Sequence, residues 1–250
     1  MLHIITPLYR FHLLEKVYQS IPKNDDIRWH IAKSTQREKL EYDFIQTDSR
    51  IHLYELDCPD ADTVTKRNVI FANIKDGFFY CLDDDTLFLE EVYNVYKEYH
   101  HTDFKGMIIG QSNLIKKVQL SADPKKSWID TGMVICYFSV LEKEKWEWTE
   151  IAGRDCYFWS RCYQFFGEEN IIFLDKVISH YNSLSPYLRV RKPILFWNFK
   201  YDIYNRTLAR TYIKLALTKN IFYKFFFSSN NTIKEQKINH LKALLDAFSK

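Results

Sequence analysis

The sequence predicts an α/β protein with a mostly parallel, doubly wound sheet and an appended basic tail. Three observations lead there. Short apolar runs alternate with helical segments across the first 100 residues. The strongest run, Gly77–Leu82, ends abruptly in three acids, Asp83, Asp84 and Asp85. The charge is also split. Residues 1–188 hold 22 Lys and Arg against 29 Asp and Glu, a net −7, whereas residues 189–250 hold 13 against 3, a net +10.

The elements follow in order. The opening LHIITPLYR reads as a buried strand carrying Ile4 and Ile5 and ended by Pro7. A helix is expected over Phe11–Ser20, stopped by Pro22. IRWHIAKS is the second strand, with Ile27, Trp29 and Ile31 on one face. RIHLYEL is the third. Residues 63–75 form a helix with Val64, Val69 and Ala72 among its apolar positions. The strand before the acids is followed by a helix over Leu87–His100. Residues 106–120 give strands or a hairpin, and WIDTGMVICYFS gives a strand preceded by an acidic turn. A helix from Asp155 to Phe166 and a late strand ending near His180 complete the body. Ligands of such sheets bind outside the carboxyl ends of the strands. Thr6–Arg10, Lys33–Ser34 and Asp83–Asp85 all sit near predicted strand ends and are expected to converge.

Composition narrows the class. A 46% hydrophobic fraction in 250 residues supports a sizeable core, and six Gly and six Pro leave little for flexible linkers. Five Cys, an odd number without a CxxC pair, argue against a disulfide framework and a thiolate zinc site. A reducing cytoplasm is the simplest compartment. The N-terminus enters a strand without a secretory signal, and no apolar stretch reaches the roughly 18–20 residues of a membrane span. Aromatics make up 17% of the chain. They fit ordinary core packing with Tyr at its edges, or a surface for sugar or lipid.

Three adjacent carboxylates after an apolar strand repel one another and need a cation, hydrogen bonds or solvent. Mg2+ or Mn2+ suits carboxylate oxygens, and a nucleotide diphosphate would complete the coordination. A solvated acidic turn or helix cap is the alternative. Strand alternation would point Asp83 and Asp85 one way and Asp84 the other. Asp85 is then the direct ligand, and Asp83 meets the nucleotide ribose, a metal-bound water or the metal itself.

The order ITPLYR, KRN at Lys66–Asn68, YCLDDDT at Tyr80–Thr86, WIDTGMVI, GRDCYFW and SHY resembles the glycosyltransferases of the GT-A fold. The likeness is to family 2-like nucleotide-sugar transferases, over roughly the first 185 residues. It implies a single GT-A-like domain over 1–188 with a mixed central sheet. A Rossmann-like donor-binding half spans 1–100 and an acceptor half 101–188. Thr6, Pro7, Arg10, Lys33, Ser34, Arg67, Asn68, Asp83 and Asp84 would meet the nucleotide-sugar. Many family 2 members carry an acid where this chain reads AKST, which leaves Lys33 or Ser34 in that place. Trp128, Asp130, Thr131, Gly132 and Arg154 would border sugar and acceptor. Asp155 would be the general base of an inverting enzyme, although Asp is also an ordinary helix N-terminal residue. His180 would join Asp85 on Mn2+ or Mg2+. The implied activity is transfer from a nucleotide-sugar, foremost a UDP-sugar, to a glycan acceptor in bacterial surface polysaccharide or lipopolysaccharide synthesis. A retaining transferase and a non-catalytic glycan- or membrane-binding relative are the alternatives.

The tail, 189–250, carries Arg206, Arg210 and Lys214 at four-residue spacing beside Leu208, Tyr212, Ile213, Leu215 and Leu217, then the aromatic run Ile221–Phe227. Such a cationic amphipathic stretch over 189–227 suits an anionic membrane surface and a lipid-linked acceptor. That would place the enzyme peripherally on the inner face of the cell membrane. It equally suits packing on the acidic body or a homodimer interface. Nucleic acid is not an expected partner, because no recognition motif accompanies the basic residues.

Overall fold

The computed structural model describes residues 1–184 apart from 38–39, 114, 116–117, 119, 122, 124–125 and 148–153. The basic tail, with its expected helical stripe and membrane-facing run, lies outside the described residues, as does the side chain of Arg154.

Seven strands form one sheet: β1 Leu2–Pro7, β2 Ile27–Ser34, β3 Ile51–Leu56, β4 Phe78–Cys81, β5 Met107–Ser112, β6 Val134–Tyr137 and β7 Ile171–Ser179. Their order is β3-β2-β1-β4-β6-β5-β7. Only β6 runs antiparallel to its neighbours, β4 and β5. Among the described residues, five α-helices accompany the sheet: α1 Leu14–Ser20, α2 Asp43–Thr47, α3 Thr63–Asn73, α4 Glu90–Tyr99 and α5 Arg154–Phe166. β1 and β4 are buried along their whole length, as expected of strands covered on both faces. Leu2, Ile4, Ile27, Trp29, Ile31 and Tyr80 pack with α1 and α4 in one core. Ile5, Ala32, Phe79 and Cys81 join α3 and α5 in the other.

Local chemistry adjusts several predicted boundaries. The helix expected over Phe11–Ser20 splits into a 3-10 turn, Phe11–Leu13, and α1. The helix expected from Leu87 begins at Glu90. The preceding backbone is already committed: Leu184 N–H donates to Asp85 O at 2.8 Å, Leu87 N–H to Ser183 Oγ at 2.8 Å and Phe88 N–H to Ser20 Oγ at 2.9 Å. Of the strands or hairpin expected over 106–120, the described residues form β5 alone. α2 had no distinct apolar pattern to announce it.

A chain of polar rings crosses the first three strands. Asp76 Oδ1 lies 2.9 Å from His3 Nε2, His3 Nδ1 lies 2.9 Å from His30 Nε2, and His30 Nδ1 lies 3.1 Å from Tyr54 OH. A carboxylate only accepts, so the protons run one way. Tyr54 donates to His30, His30 to His3 and His3 to Asp76, with both rings neutral. Burial, then the neighbouring His3, His52 and Arg28, push the His30 imidazole down to about 3. His3 is lowered mainly by burial, and Asp76 pulls the other way.

Candidate active site

The sheet topology gathers the predicted loops at one edge. Ile5 pairs with Cys81, so β1 and β4 end side by side. Because β6 is antiparallel, its entry at Thr131–Met133 meets the exits of β4 and β5. Ser112 pairs with Ser179, which brings His180 to the same edge.

The acids occupy a turn rather than a strand extension. Thr86 N–H donates to Asp83 O at 3.0 Å. The two-residue alternation expected of Asp83, Asp84 and Asp85 therefore does not apply, and the three acids meet different surroundings. Asp84 is 2% exposed. Its Oδ2 accepts the backbone N–H groups of Tyr9 and Arg10, each at 2.5 Å, and its Oδ1 accepts Arg10 Nη1 at 2.6 Å. Asp84 thus anchors the loop after β1. Asp85 is 1% exposed, and its Oδ2 has no hydrogen-bond partner although Arg10 Nη1 stands 3.2 Å away. Burial raises the Asp85 carboxyl to about 6, with Arg10 opposing and Asp83 and Asp84 adding to the rise. An orphaned buried carboxylate oxygen is what a hard cation would satisfy. Asp83 is the most open of the three and accepts Arg67 Nη2 at 2.9 Å.

Arg67 reaches this point from α3. Burial works against its charge, but Asp83 and then Asp155 hold its pKa above the ordinary value. Asp130 lies in the same field. Burial lifts its carboxyl to about 8, Asp83 and Asp155 add to the rise, and the Gly132 and Thr131 N–H groups oppose it. Asp83, Asp130, Asp155 and Arg67 therefore form one electrostatic group, with Asp155 half-buried in the first turn of α5.

The remaining candidates divide by occupation. Thr6 is fully buried and accepts Trp29 Nε1 at 2.9 Å, and Pro7 closes β1. Lys33 is buried against Glu55 at 2.9 Å, and the Ser34 hydroxyl donates to Cys58 O at 2.6 Å. Asn68 grips Trp146 twice: its Nδ2 donates to Trp146 O at 2.8 Å, and Trp146 N–H donates to its Oδ1 at 2.8 Å. Trp128 is 43% exposed. Thr131 is buried with its Oγ1 lacking a hydrogen-bond partner. Gly132 faces a close approach: a Cβ there would meet Ser179 Oγ at 2.6 Å and Tyr80 OH at 3.3 Å. His180 is exposed immediately after β7. Among the described residues no three His, Cys, Asp or Glu side chains converge as a ready-made metal cage.

Two residues of this region were not among the candidate site residues. Lys66 is fully buried, and its ammonium donates to Leu8 O at 2.7 Å and Asp60 O at 2.5 Å. It ties the loop after β1 to the loop after β3. Trp146, 1% exposed, lies under Arg67, whose guanidinium carbon is 4.4 Å from the ring centre.

No protein-family model and no curated protein matches the chain. Solved structures do. S. aureus TarS residues 1–349 in complex with UDP-GlcNAc aligns with a TM-score of 0.59 at 11% identity, covering 99% of this chain and 71% of that one. The mannosyltransferase PcManGT from Pyrobaculum calidifontis, in complex with GDP-Man and Mn2+, aligns with a TM-score of 0.53 at 13% identity, covering 99% and 72%. At such identities the likeness is one of fold: a GT-A-like α/β fold with a mixed seven-stranded sheet.

Proposed function

We propose that the chain is a metal-dependent glycosyltransferase that moves a sugar from a nucleotide-sugar, foremost a UDP-sugar, to a glycan hydroxyl with inversion. The observation that carries this reading is Asp85, a buried carboxylate with one oxygen lacking a hydrogen bond at the carboxyl edge of a GT-A-like sheet. The neighbours in fold lend support, one holding UDP-GlcNAc and the other GDP-Man with Mn2+. Residues 1–188 are the catalytic body in this reading, donor half 1–100 and acceptor half 101–188, with 189–250 as the tail.

Each residue then has a task. Asp85 and His180, with Asp83 as a further ligand, would hold Mn2+ or Mg2+, which when bound offsets charge on the diphosphate. Arg10 and Arg67 place positive charge beside the donor. Asp84 and Lys66 keep the loop after β1 in place. Asp130 offers a carboxyl to a sugar hydroxyl, and Trp128 an apolar ring to a sugar face. Asp155 takes the proton from the acceptor hydroxyl as that oxygen bonds to the anomeric carbon. The nucleoside diphosphate departs with the electron pair of the broken bond.

A panel of UDP- and GDP-sugars with Mn2+ or Mg2+ identifies the donor. With that donor saturating, Asp155→Asn should lower transfer by about 10²–10⁴-fold. Transfer at the wild-type rate would exclude Asp155 as the base. The acceptor is a lipid-linked glycan of a bacterial surface polysaccharide, met at the inner face of the membrane through 189–227. Sedimentation with anionic vesicles checks this: the full chain should bind, and a chain ending at residue 188 should not. Equal binding by both would reject the membrane role.

A further inference from the structure

Trp146 stands between the donor and acceptor sides of the site. Arg67 lies 4.4 Å from its ring centre, and Phe158 stacks on it at 4.3 Å with an interplanar angle of 23°. Arg67 and Phe158 thus both bear on the indole. Arg67 in turn is paired with Asp83 at 2.9 Å. Phe158 and Trp159, which meets Trp146 edge-on at 5.9 Å, lie three and four residues after Asp155 on α5. Residues at those spacings share a helix face. A continuous stack therefore runs from Asp83 through Arg67 and Trp146 to the face of α5 that carries Asp155.

The backbone around Trp146 is held from both sides. Asn68, next to Arg67 on α3, bonds both the N–H and the carbonyl of Trp146 at 2.8 Å. From α5, Arg161 pairs with Glu144 and, at 2.7 Å, with Glu147, on either side of Trp146.

We propose that Trp146 is a positioning residue, a spacer gripped by Asn68 that sets the separation of donor-side Asp83 from acceptor-side Asp155. The proposal rests on the glycosyltransferase reading above. The spacer touches neither reactant. It fixes how far the base stands from the reacting carbon once the donor is bound, and a displacement of about 1 Å in such a geometry can cost about 100-fold in rate.

The test measures donor KM, kcat for transfer, and the ratio of donor hydrolysis to transfer in Trp146→Leu, Trp146→Phe and Asn68→Asp. Trp146→Leu should lower kcat for transfer by about 10- to 100-fold and raise the hydrolysis ratio. Its donor KM should move by less than about threefold. Trp146→Phe keeps a stacked ring and should restore most of the loss. Asn68→Asp sets a carboxylate against the Trp146 carbonyl and should shift the same parameters in the direction of Trp146→Leu. If Trp146→Leu does not fold, the other two variants decide. An unchanged kcat and hydrolysis ratio with only a lowered Tm would reduce Trp146 to packing and overturn the spacer. A wild-type protein without turnover on any donor would instead overturn the glycosyltransferase reading, and the spacer with it.

Discussion

Asp85→Asn should abolish metal-dependent donor turnover and, in the same protein, raise the stability of the metal-free fold. Asp85 is buried with one oxygen lacking a hydrogen bond, and its carboxyl sits at about 6 rather than 3.8. Below 3.8 the group is protonated in folded and unfolded chains alike and costs nothing. As pH rises from 3.8 to about 6 the unfolded chain ionises first, so stability falls. Above 6 the cost is complete, about 3 kcal/mol at neutral pH. Asparagine removes that charge while keeping the shape. Urea unfolding at pH 7.5 in chelator should show the variant gaining up to this amount, whereas at pH 4 the two proteins should nearly coincide. Asp130, at about 8, adds a slope of the same sign to both proteins and cancels in the difference. Turnover with Mn2+ should fall roughly a thousandfold or more, because the site loses charge stabilisation worth several kcal/mol. A variant as active as wild type would remove Asp85 from the metal site. A variant less stable at pH 7.5 would show that its carboxylate is satisfied in the fold.

The second large effect has the opposite slope. His30 is held neutral down to about 3 against an ordinary 6.5, and the groups around it, His3, His52 and Arg28, all disfavour its proton. Above 6.5 the ring is neutral in both states and its contribution is fully present. As pH falls below 6.5 the unfolded chain takes up a proton that the folded chain refuses. Stability then drops by about 1.4 kcal/mol per pH unit. Over the whole window to pH 3 the loss approaches about 5 kcal/mol. His30→Gln keeps a donor and an acceptor but no titrating group. Between pH 7 and pH 5 the wild type should lose about 2 kcal/mol of unfolding free energy relative to this variant. A constant offset between the two proteins at pH 7 and 5 would mean that the ring is not held neutral.

Much of the fold was legible because its strands are short, apolar and punctuated. Pro7, Pro22 and the acids after Leu82 mark real ends, and the alternation in Ile27, Trp29 and Ile31 reports one face of β2 correctly. What the sequence could not carry were contacts made across long separations. α4 starts later than expected because Ser183, Leu184 and Ser20 capture the backbone that would have extended it. The relation among Asp83, Asp84 and Asp85 was misread because a strand period was applied to a turn. The local clustering of acids pointed to the site, but only the fold shows that Asp84 spends its charge on the loop after β1. The burial of Lys66 and Trp146 depends on carbonyls and rings more than 50 residues away or on other elements, which no local pattern encodes.

Gly132 constrains how the cleft can diversify. The space a methyl group would need at that position is already filled by Ser179 and Tyr80, from β7 and β4. On the acceptor reading, that wall cannot be remodelled one residue at a time without disturbing two strands of the sheet. Trp128, four residues earlier, is 43% exposed. On that same reading, position 132 stays fixed by the scaffold whatever acceptor the cleft comes to take.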